Sequence, residues 1–84
     1  ANTPVRRVCY MAQLVLSGDA EPEAMRMSVL RAVEQLSQVL TDPDSRAQLG
    51  LASKSILEGQ FYPALKALRT LLPREERLLA AHRT

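Results

Sequence analysis

Aromatic residues are scarce: the chain has no tryptophan, one phenylalanine and two tyrosines. Single-stranded nucleic acid is commonly gripped by stacking bases on aromatic rings, and three rings leave little for such a platform. Cysteine is scarcer still. Cys9 is alone, so no internal disulfide can form, and an intracellular setting fits. His82 is the sole histidine, and the acidic side chains are dispersed, so no metal ligand set with recognisable spacing exists. Glycine occurs three times and never in a phosphate-cradling run. No apolar run approaches the roughly 20 residues of a membrane span, and the start shows no signal-peptide pattern. Catalytic pairings are missing too. Asp42 and Asp44 flank a proline as helix-cap residues, and Glu75 and Glu76 point in different helical directions. The reading is therefore a non-enzyme, without metal or cofactor.

What is present is helical periodicity. The organising stretch is GQFYPALKALRTLL, residues 59–72. Phe61, Ala64, Leu65, Leu68, Leu71 and Leu72 recur at helical spacing and make one broad apolar face. Gly59 suits a left-handed helix stop, and Pro63 suits the first turn of the next helix. Thr3-Pro4 is a second start signal, a hydroxyl cap followed by proline. Ser17 to Pro22 reads as a turn, with Asp19 as the cap of the helix that follows. Asp42-Pro43-Asp44 is another cap and start, and Pro73 opens a last short helix. The expected fold is all-α: a compact bundle of four main helices plus a short C-terminal helix. The expected spans are 4–17, 20–41, 43–58, 62–72 and 73–82, in one domain covering 1–84. That domain is small, burying about 60 to 65% of its unfolded surface, so partner contacts are expected to matter.

The first helix should turn Val5, Val8, Cys9, Ala12, Val15 and Leu16 inward, with Tyr10 and Leu14 on a flank. The second carries Met25, Val29, Ala32, Leu36 and Val39 as a seam. So much apolar surface on a small chain leaves two readings open, a central core or contact with a partner. Tyr10, Leu14, Met25, Val29 and Leu36 are the candidate partner contacts. Cys9 reads as a small packed hydrophobe. Gly50, inside the third helix, costs roughly 1 kcal/mol in propensity and either permits close helix approach or is merely tolerated.

Charge is mildly positive, at +2. It is uneven: residues 1–42 carry −1 and residues 43–84 carry +3. Candidate contacts to RNA phosphates or to an acidic partner are Arg6, Arg7, Lys66, Arg69, Arg74 and Arg77, with Arg46, Lys54 and Arg83 extending the set. Lys66 with Arg69, and Arg74 with Arg77, lie three apart on their helices and would form a basic patch if the two faces adjoin. Solvated surface charge explains the same residues and is the simpler reading. Arg6 and Arg7 stand at the positive end of the first helix, the wrong end for a cation from the macrodipole alone.

The segment TPVRRVCYMAQLVL at 3–16 and the tail GQFYPALKALRTLLPREERLLA at 59–80 together resemble the FlbT family, the flagellar-biosynthesis repressors of alphaproteobacteria. The first resembles the family's passage from a β-rich N-terminal part into its first helix, and Arg6 and Arg7 match its basic pair there. The second resembles its closing motif. The likeness spans nearly all of the chain, and its specific wording sits at the two ends. It implies that this chain is the C-terminal helical part of a longer protein, an expectation that the absence of an initial methionine also suggests. It further implies a cytoplasmic, post-transcriptional regulator of flagellin synthesis. Such a regulator acts on the untranslated leader of flagellin mRNA, alongside the small flagellar protein FlaF. The helical part would then serve self-association or partner binding. The alternative is a purely structural interaction module of the flagellar system, with no RNA contact. The family carries no motif that assigns individual RNA-contacting residues.

Overall fold

A computed structural model describes residues 2–82. They form five helices: α1 Pro4–Leu16, α2 Pro22–Leu36, α3 Pro43–Leu57, α4 Phe61–Arg69 and α5 Leu72–His82. No strand occurs among the described residues. α1 packs on α2, α2 on α3 and α3 on α4, and α4 packs back on α1, so the four close into a ring. α5 lies against α1. The fold is the all-α bundle of four main helices and a short C-terminal one.

Local chemistry explains the helix starts. Thr3 caps α1, its hydroxyl accepting the Arg6 N–H, with Pro4 in the first turn. Asp42 caps α3, its carboxylate accepting the Ser45 N–H at 3.0 Å. Gly59 ends α3 at φ 75°, a left-handed conformation that glycine adopts without a Cβ penalty. This lets the Gln60 N–H reach the Ser55 carbonyl at 2.7 Å. A Cβ at Gly59 would meet only Arg26 Nη2 at 3.8 Å, an ordinary contact. Gly59→Ala should therefore destabilise through the backbone alone, by about 1–2 kcal/mol. Chemical denaturation checks this, and Gly59→Asn should lose less.

Other boundaries move. α2 stops at Leu36, five residues short of the expected end. The Ser37 hydroxyl donates to the Glu34 carbonyl at 2.6 Å, and the turn that follows drops Leu40 into the core. α4 stops at Arg69, where the Thr70 hydroxyl donates to the Ala67 carbonyl at 2.6 Å. The turn buries Leu71 completely, and α5 begins at Leu72. Asp19 does not cap α2. Glu21 holds the cap position without a side-chain bond, and Asp19 accepts from the Ser17 hydroxyl at 2.8 Å.

The core draws Val5, Val8 and Ala12 from α1, and Val29, Val33 and Leu36 from α2. Leu49, Ala52 and Ile56 come from α3, and Phe61, Ala64, Leu65 and Leu68 from α4. Two expected core residues face outward. Leu16 ends α1 and is 42% exposed, while Val39 sits beyond the end of α2 and is 64% exposed. Gly50 makes no close helix approach, since a Cβ there would meet nothing within 4 Å.

Candidate partner and nucleic-acid surface

The basic side chains are distributed over several surfaces. Lys66 lies in a groove with Gln48, Leu51 and Thr70 between α3 and α4, its ammonium 5.8 Å from the centre of the Tyr62 ring. Arg69 turns toward α1, donating to Gln13 Oε1 at 3.2 Å beside Arg6 and Tyr10. Arg74 and Arg77 lie over the start of α3, in a groove shared with Asp42 and Asp44. The expected union of Lys66, Arg69, Arg74 and Arg77 into one patch is thus not formed. Helices α4 and α5 meet at a turn, and the turn sends their basic faces in different directions. Arg83 lies outside the described residues.

Several of these cations already hold structural roles. Arg6 pairs with Glu76 at 3.0 Å. Arg74 Nη1 donates at 2.9 Å both to the Asp42 carboxylate and to the hydroxyl of buried Ser45, and Nη2 reaches Asp44 at 3.3 Å. Arg74 thereby ties α5 to the cap of α3. Arg7 and Arg77 are exposed, and neither belongs to an ion pair among the described residues.

The Ser45 side chain and its N–H, with Arg74 behind them, hold the Asp42 carboxyl below its usual value of 3.8. A depressed folded-state pKa contributes stability above the unfolded value, and that contribution is lost as pH falls through the folded value. Asp42→Asn keeps a cap acceptor but cannot titrate. The stability gap between it and the parent should shrink below about pH 4 and stay level above about pH 5. Urea unfolding across that range checks it.

The apolar candidates also divide. Tyr10 is 63% exposed, and Leu14 and Met25 are half-buried. Val29 and Leu36 do not face a partner, because both are enclosed in the core of this chain. The α2 seam is spent on the intramolecular ring. Cys9 is half-buried against the core, and burial pushes its thiol up, with Arg69 opposing. A raised thiol is a poor nucleophile at neutral pH. No group of three or more metal-ligating side chains occurs among the described residues, and no described helix is long and apolar enough to cross a membrane.

Glu75, which the sequence shows only to be no part of a carboxylate pair, has a structural role. The Glu75 carboxylate is buried and accepts the Val5 N–H at 2.9 Å and the Thr3 hydroxyl. It caps α1 from 70 residues away. No local signal points to this, since cap motifs are read within one turn.

The family model described as flagellar protein FlbT matches residues 1–79. The chain belongs to the FlbT family. A relative from Chelativorans sp. (strain BNC1), a probable flagellum biosynthesis repressor protein FlbT, is 34% identical over 99% of this chain and 57% of its own length. A relative of the same description from Rhodopseudomonas palustris (strain TIE-1) is 35% identical over 95% of this chain and 61% of its own length. A third, from Allorhizobium ampelinum, is 30% identical over 94% of this chain and 53% of its own length. The chain thus spans a little over half the length of these FlbT relatives. They are named as repressors, a regulatory role and not a catalytic one. No solved structure matches this chain.

Proposed function

We propose that this chain is the helical part of a cytoplasmic repressor that limits flagellin synthesis after transcription. The repressor acts on the leader of flagellin mRNA, and this part supplies association or partner contact. FlaF, or a second copy of the chain, is the kind of partner meant. The observation that carries the regulatory half is the family match over residues 1–79. The partner-binding half is supported by the scattering of the cations, several of them already engaged within the chain. Phosphate binding gains affinity with each phosphate neutralised, and dispersed cations at a net charge of +2 neutralise few. The second reading, a structural module with no link to RNA, is favoured by the same scatter.

A reporter translated from a flagellin leader tests the choice. It is placed in cells lacking their own FlbT. Supplying the full-length Chelativorans relative should lower output, and supplying residues 1–84 alone should not. Equal repression by the short chain would put the regulatory contact in the helices. No repression by either would favour the structural module.

A further inference from the structure

Two grooves meet at Val39. One runs between α1 and α2, walled by Pro4, Arg7, Met11, Ala32 and Leu36. The other runs under α5, walled by Leu40, Leu78 and Arg77. Val39 lines both, so the two grooves adjoin at its side chain, with Arg7 in the wall of the first and Arg77 in the wall of the second. The junction is apolar and open: Val39 is 64% exposed and Leu78 is 41% exposed.

The charges of these grooves are unequal in what they lack. Asp42 and Asp44 border the second, but Arg74 engages both. Arg7 has no carboxylate partner among the described residues, although its neighbour Arg6 has Glu76. It also stands in the first turn of α1, whose positive end already meets the Glu75 carboxylate at the Val5 N–H. A carboxylate arriving from outside would give Arg7 the ion-pair partner that the described residues do not supply. Arg77, likewise in no ion pair, offers a second point of attachment. No aromatic side chain lines either groove, which removes the stacking contribution that RNA would use.

We propose that the adjoining grooves, from Arg7 across Val39 to Arg77, dock an amphipathic helix of a partner protein, its apolar stripe laid on Val39 and Leu78 and its carboxylates meeting the two arginines. Helix-in-groove recognition works in this way, with apolar side chains at helical spacing as anchors and flanking charges fixing direction. This rests on reading the helical part as a partner-binding module, and it names the surface and the chemistry of what binds.

The probe is a display library of random helix-forming peptides selected against residues 1–84. Val39→Asp, Arg7→Glu and Arg77→Glu change exposed side chains, and circular dichroism confirms that each variant folds. Enriched peptides should carry an apolar stripe at i, i+3 and i+4 together with Asp or Glu. Val39→Asp should weaken them by about tenfold or more, as expected for a central interface contact. Selection against the Arg7→Glu, Arg77→Glu double variant should switch the enriched charge to Lys and Arg. Enrichment of acidic peptides whose binding survives Val39→Asp would overturn the groove while leaving a partner-binding role intact. No enrichment, or enrichment of basic peptides on the parent chain, would overturn the proposal. So would displacement of the peptides by single-stranded RNA, or a dimer seen in sedimentation that Val39→Asp abolishes.

Discussion

Leu68→Ala should destabilise the chain by about 2–5 kcal/mol, the largest effect expected of any single substitution here. Leu68 is fully buried on α4, in the ring position where that helix touches both α1 and α3. Truncation removes the transfer free energy of the lost methyl groups and leaves a cavity that neighbours fill only partly. The surrounding core is constrained. Val5, Val8, Ala52 and Ile56 are themselves fully buried, and each is held by its own helix. A small domain has few other contacts to absorb the loss. Leu65→Ala should fall in the same range, since Leu65 is buried on the same face. Denaturant unfolding decides it. Changes near zero for both would mean that α4 does not belong to the core.

Glu75→Ala should cost about 1–3 kcal/mol, the price of leaving a buried donor without its acceptor. The orphaned donor is the Val5 N–H, which has no intrahelical partner because it lies in the first turn of α1. The Thr3 hydroxyl loses an acceptor at the same time. Glu75 is also one of the few polar ties between α5 and the bundle, beside the Arg6–Glu76 and Arg74–Asp42 pairs. Those pairs are partly exposed and worth little individually. The substitution should therefore loosen α5 as well as fray α1. Hydrogen exchange should report it at the Val5 amide and along α5 before the α3 and α4 amides change. Glu75→Gln keeps one acceptor and should lose less. A loss under about 0.5 kcal/mol for Glu75→Ala, within the range of ordinary surface changes, would show that the buried cap contributes nothing.

What was legible in the sequence was local. Thr3, Pro4, Asp42, Pro43 and Gly59 announce helix ends through chemistry confined to a single turn, and the structure uses each of them at its expected place. The apolar face of α4 was legible for a similar reason, because periodicity alone assigns Ala64, Leu65 and Leu68 to one side. What was not legible depends on the ring. The apolar period of α2 runs on through Val39, yet Ser37 turns the chain and puts Val39 outside. Arg74 looks like an available cation in sequence and is instead committed to Asp42, Asp44 and Ser45, about 30 residues away in the chain. The basic set of α4 and α5 looked contiguous because residues three apart share a helix face, but the turn at Thr70 and Leu71 separates the two faces. Two of the expected partner contacts failed for a related reason. Val29 and Leu36 are enclosed in the core, whereas Tyr10 of the same set is exposed.

The proposed role of this helical part is protein contact and not RNA binding. The most direct measurement is a titration of residues 1–84 against labelled flagellin leader RNA near physiological ionic strength, about 0.15 M. The expected result is weak, salt-sensitive binding no tighter than the ordinary non-specific range of about 1–100 µM, little altered by Lys66→Gln, Arg69→Gln and Arg77→Gln together. Submicromolar binding that those three substitutions weaken would contradict the account.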